Sequence, residues 1–178
     1  MKTTIYMRHI LLIFFTLLII QAHGQSFVNY KDTINRFLID IPTGWKYGVN
    51  KSYPDIILLA YRTPVSKADT SRDNLNINTI KTPNKDLDKT FADFLKYLPD
   101  AKDYKLIETG ATTFNGIKFK WLIETHKNES NNLQMHNYDF VTLKNGKTYI
   151  LTMVTFSYAF DSVKPMFDKI ASSFILLD

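Results

Sequence analysis

Glu124, His126 and His136 are the residues of this chain best suited to hold a metal ion. Two imidazoles and a carboxylate form an open site with room for a further ligand. Asn128–Asn132 is a polar stretch between two strand-like segments, and its centre decides whether the three side chains meet. With Ser130 at the centre, Glu124 opposes His136 and His126 opposes Gln134, so the three share a face. A slip of one residue sends the two histidines to opposite faces. Asp139 is a second candidate, because strand alternation turns it inward near Trp121 and Thr152. A buried carboxylate needs partners, and a raised pKa there marks a functional group. The plainer role is an acceptor for the Trp121 indole or the Thr152 hydroxyl. Trp45 follows Pro42-Thr43-Gly44 and either lines a ligand groove or plugs the end of a core.

Other chemistries lack their motifs. There is no G-x-x-x-x-G-K or G-x-G-x-x-G phosphate loop and no G-x-S-x-G elbow. A Ser/His/Asp triad would have to use His126 or His136 without a supporting motif. No residue is assigned as catalytic, and no cofactor is expected.

The elements that must position these residues follow from periodicity. Phe37–Ile41 alternates and stops at Pro42-Thr43-Gly44, as a half-buried strand does. Ile56–Tyr61 is a continuous apolar run, and Asn74–Lys81 is a further strand. Thr63–Asp73 is a polar surface loop. Over Asp86–Leu98 the period changes: Leu87, Phe91, Phe94, Leu95 and Leu98 line one helix face. Asn84 or Asp86 caps that helix, and Pro99 follows its last turn.

Four strands come next: Tyr104–Thr109, Gly116–Thr125, Leu133–Leu143 and Thr148–Phe156. Lys144-Asn145-Gly146-Lys147 predicts a type I′ hairpin turn. That turn sets Thr142 opposite Tyr149, Phe140 opposite Leu151 and Val141 opposite Ile150. Both faces of this hairpin are rich in apolar residues, so both need a cover. A C-terminal helix supplies the second one. Asp161 or Ser162 caps it, Pro165 sits in its first turn, and Val163, Phe167, Ile170 and Phe174 form its apolar stripe. The expected fold is α+β: an α-β-α sandwich with a mostly antiparallel central sheet and a helix on each face.

The N-terminal segment reads as an address. Met1–His9 carries Lys2 and Arg8, Ile10–Ile20 has no charge, and Gln21-Ala22-His23-Gly24 offers small residues for cleavage. This is the layout of a secretory signal peptide over residues 1–24, with a single globular domain over 25–178. A spanning helix needs ~20 apolar residues, so no transmembrane anchor is expected after cleavage. Removing the segment takes two cations from the formal charge of +5 and two of the four histidines. The charge that remains is too small to argue for nucleic acid. The chain has no cysteine. Disulfide scaffolds, Cys-ligated metal and lipoprotein anchoring are therefore excluded.

Several segments resemble PsbP-like domains. Phe37-Leu38-Ile39-Asp40-Ile41-Pro42-Thr43-Gly44-Trp45 is similar to their opening strand and Pro-x-Gly-Trp turn. Phe114-Asn115-Gly116 with Trp121 resembles their middle hairpin, and Tyr149-Ile150-Leu151-Thr152 their late central strand. Phe167-Asp168-Lys169-Ile170-Ala171-Ser172-Ser173-Phe174 resembles their closing helix. The resemblance implies an α-β-α sandwich, no shared catalytic motif, and an accessory, assembly or adaptor role. The plant-type photosystem role is not carried over. The leading expectation is therefore an exported, non-enzymatic interaction protein, periplasmic or secreted, whose partner is an unknown envelope protein or complex. The alternatives are a periplasmic small-molecule or metal-binding protein and, behind it, a hydrolase with an unrecognised site.

Overall fold

Asn-Gly pairs set two of the hairpins that build the sheet. In the computed structural model, which describes residues 25–49, 53, 55–70, 72–83 and 86–177, Asn145 and Gly146 have φ of 52° and 73°. Both central positions of the expected type I′ turn are thus left-handed, which Asn and Gly tolerate best. The register is the expected one, with Lys144 opposite Lys147, Phe140 opposite Leu151 and Val141 opposite Ile150. Asn115 and Gly116 repeat the geometry at φ of 50° and 76°. They join β6 (Lys105–Phe114) to β7 (Ile117–Lys127). β6 therefore runs on to Phe114, past the expected end at Thr109.

The remaining strands are β1 (Phe27–Asp32), β2 (Phe37–Pro42), β3 (Lys46–Gly48), β4 (Ile56–Tyr61), β5 (Asn74–Lys81), β8 (Gln134–Lys144), β9 (Lys147–Phe156) and β10 (Ile175–Leu176). Seven of them form one sheet in the order β3-β4-β5-β9-β8-β7-β6, and every pairing is antiparallel. β1-β2-β10 form a separate three-stranded sheet. The short strands β1, β3 and β10 carry little periodicity and were not expected. β2 does not join the large sheet: its partners are β1 and β10, and Phe37, Ile39 and Ile41 are fully buried.

Two helices pack on this framework. α1 (Leu87–Leu95) starts at Asp86, whose carboxylate accepts from the backbone N–H of Asp88 and Lys89. The other proposed cap, Asn84, and residues 1–24 lie outside the described residues. α2 (Phe160–Ser172) begins earlier than Asp161, after a 3-10 turn over Ser157–Ala159, and Ala159 caps it without a side-chain bond. Pro165 is therefore in the second turn, not the first, where its missing N–H removes one helical bond. Phe174 lies beyond the helix end yet is fully buried.

Successive residues of a strand face opposite ways, and the helices use different sets of them. Phe160, Phe167 and Ile170 of α2 cluster with Phe119, Ile123, Tyr138, Phe140, Tyr149 and Leu151. Phe91 of α1 clusters with Leu122, Val141 and Ile150. Phe37 stacks on Phe174 and Phe119 meets Phe140 edge-on. Each such ring contributes roughly 1.5–3 kcal/mol through burial, which matters in a chain without disulfides.

Candidate functional site

The loop between β7 and β8 decides which candidate residues meet. Asn128 accepts the Ser130 N–H and hydroxyl on its side-chain oxygen, and its own N–H donates to Leu133 O. Asn132 takes φ of 58°, the role that glycine fills elsewhere. The loop thus closes Asn128 against Leu133 and has no central residue. Glu124 opposes Asn137, Thr125 opposes His136, and His126 opposes Met135. This is one residue away from the expected pairing. The Glu124/His126/His136 metal site is therefore corrected: Glu124 and His126 stay together, and His136 projects from the other face. Among the described residues no group of three or more His, Cys, Asp or Glu is arranged to hold a metal ion.

His136 instead lies flat on Phe160, with ring centroids 4.3 Å apart and planes 14° from parallel. Its Nδ1 is 3.0 Å from Ser157 Oγ. Burial lowers its pKa below the ordinary 6.5. The Ser157 contact was not expected, because Ser157 belongs to a 3-10 turn that precedes α2, ahead of the expected helix start at Asp161 or Ser162.

On the face that carries Leu122 and Val141, called the α1 side after their contact with Phe91, Glu124 and Asp139 are buried and His126 is half-buried. Glu124 and Asp139 are each 2% exposed. His126 Nδ1 lies 3.0 Å from Glu124 Oε1 and 3.2 Å from Oε2 and donates to that carboxylate. That bond raises the His126 pKa, while partial burial works against it. His126 also lines an open surface depression with Ala101, Lys102 and Lys127–Ser130.

Asp139 accepts a short hydrogen bond from the Thr152 hydroxyl on Oδ1, and its Oδ2 has no partner. Burial raises its pKa from the ordinary 3.8 to about 7; the Thr152 bond opposes the shift and nearby Glu124 adds to it. The expected Thr152 contact holds. The expected Trp121 contact does not, since Trp121 pairs with Phe140 while Asp139 pairs with Leu122 on the other face. Two residues were missed here. Tyr104, whose pKa is raised by burial and then by Glu124 and Asp139, approaches from the segment before β6. Asn137 sits directly opposite Glu124, and its Oδ1 is buried without a partner. Had the loop been centred between Ser130 and Asn131, Asn137 would have been found.

The two tryptophans pack. Trp45 follows a turn in which Gly44 has φ of 88°, and it joins the α2-side core at 8% exposure. Trp121 crosses Gly110, where an added Cβ would lie 2.4 Å from Cζ2, and meets Tyr138 edge-on at 5.9 Å. Gly110 leaves the space that the indole fills.

With this geometry established, comparison places the chain. The PsbP family model matches residues 25–176. The chain belongs to the PsbP family. Its fold is similar to that of cyanobacterial PsbP (CyanoP) from Synechocystis, at TM-score 0.64 and 21% identity over 88% of this chain and 95% of that one. It is also similar to LpqN, described as involved in cell envelope biogenesis of Mycobacterium tuberculosis, at TM-score 0.59 and 10% identity, covering 89% and 94% of the two chains. The Saccharomyces cerevisiae Ran-binding protein MOG1P matches at TM-score 0.61 and 7% identity, covering 87% and 97%. At these identities the likeness is one of fold. No curated protein matches by sequence. Among the described residues no helix is long and apolar enough to cross a membrane.

Proposed function

We propose that this PsbP-family protein is an exported, non-enzymatic accessory protein that binds a protein or complex of the cell envelope. The observation that carries the reading is the family match over residues 25–176, which begins where the predicted signal peptide ends. Two structural relatives support it through their descriptions, one in envelope biogenesis and one as a Ran-binding protein. We read the two apolar clusters as the two faces of the large sheet, so that α1 and α2 flank it as an α-β-α sandwich.

Export and binding are tested together. Tagged protein recovered from producing cells is sequenced from its N-terminus, and photo-crosslinkers replace the exposed Tyr97 and Tyr158. The reading expects a chain starting at or near Gln25 and one reproducible envelope-protein adduct. A cytosolic, uncleaved protein without an adduct overturns it.

A further inference from the structure

Among the described residues, three buried side-chain atoms lack a hydrogen-bond partner: Asn78 Oδ1, Asn137 Oδ1 and Asp139 Oδ2. All are acceptors, and the strand registers put all three on the α1 side of the sheet. A buried acceptor without a donor costs about 1–3 kcal/mol. Asn137 and Asp139 are two residues apart on one strand face, so their Cα atoms are about 7 Å apart. No N–H or O–H of the described residues serves either oxygen, and a carboxylic acid on one is the donor that the other lacks.

We propose that this face is a proton-binding site, in which Asp139 is kept as the neutral acid and its Oδ2–H donates to Asn137 Oδ1. The proton binds reversibly and no other bond changes. Loss of the proton leaves an anion with Thr152 as its one hydrogen-bond donor among the described residues, close to Glu124. The charged and titratable groups around it are few. β7 contributes Glu124 and His126 and, further along, Lys120, which pairs with Asp88 of α1. Tyr104 approaches from the segment before β6. β9 contributes only the Thr152 hydroxyl. His126, at the surface depression, lies between the buried acids and solvent.

The test is a carboxyl 13C NMR titration of the full chain, with urea unfolding at pH 5 to 8 alongside. The Asp139 carboxyl is expected to titrate at least two pH units above the exposed aspartates. Asn137→Ala should move that titration down, because it removes the acceptor for the neutral acid. Asp139→Asn should flatten the fall in urea midpoint from pH 5 to 8, while His126→Gln retains most of it. An Asp139 carboxyl that titrates with the surface aspartates overturns the proposal, and so does a fall that persists undiminished in Asp139→Asn. If Asp139→Asn does not fold, the titration of the unsubstituted chain still decides.

Discussion

The two sides of the seven-stranded sheet are built on different terms. The α2 side gathers 22 buried residues, and it includes five phenylalanines with less than 2% exposure. The α1 cluster has four buried apolar residues, and its face carries the buried Glu124 and Asp139 and all three unpartnered buried oxygens found among the described residues. The buried carboxylate that meets the α2 face, Asp73, is served by the Thr155 hydroxyl. Close-packed rings hold their energy at any pH. Burial of Asp139, which raises its pKa, makes part of the fold's stability depend on protonation. The difference teaches that one face supplies most of the ring packing, while the other holds a buried acid without a full set of partners.

The largest test of that contrast removes a ring from each side. Phe140→Ala, at 1% exposure, should cost about 3–5 kcal/mol in urea unfolding. Phe91→Ala, at 8% exposure and at the margin of the smaller cluster, should cost less. Equal losses would break the comparison.

The second test is pH. A buried acid whose folded pKa is raised binds more protons when folded, so its contribution falls as pH rises from about 4 through about 7. His126, also raised, adds a loss of the same sign as pH climbs above its unfolded value of 6.5. His136, lowered, acts the other way and costs stability only on acidification below 6.5. Asp139→Asn should therefore gain on the order of 2–4 kcal/mol relative to the parent at pH 8, and little at pH 4. Urea midpoints at the two pH values check this, and an equal effect at both would remove the α1 side's special role.

Next comes Gly110→Ala. Its Cβ would press on the Trp121 indole, and the resulting overpacking should cost about 1–3 kcal/mol independently of pH. A loss in Trp fluorescence change on unfolding, together with the lower midpoint, reports the displaced ring. The smallest effect is Asp86→Ala, which removes the α1 cap and should cost about 1 kcal/mol. If the α1 side is the weaker one, hydrogen exchange in α1 should rise in this variant before exchange in α2 does.

The hairpins show why some of this was legible and some was not. Asn145-Gly146 dictates a turn with both central residues at positive φ, so counting outward from it paired Asn137–Thr142 of β8 correctly with Tyr149–Val154 of β9. Asn115-Gly116 carried the same information for β6 and β7. The loop at Asn128–Asn132 has no such pair. Its register rests on a side-chain-bonded turn at Asn128 and on Asn132 alone entering the left-handed region. A one-residue error there was enough to separate His136 from Glu124 and His126. It also hid Asn137 behind the wrong partner.

What the chain alone determined is what local physics controls. Period-2 and period-3.6 patterns marked most of the long strands and both helices, Asn84 and Asp86 were the two residues offered as a cap, and the Asn-Gly turn set its own register. Those preferences are satisfied within a few residues. The tertiary structure decided the rest, because it depends on elements far apart in sequence. It split β1, β2 and β10 from the large sheet and laid His136 on Phe160. It also enclosed Asp139 between β7 and β9. Burial, and with it the proton affinity of Asp139, exists only once those distant segments have closed over it.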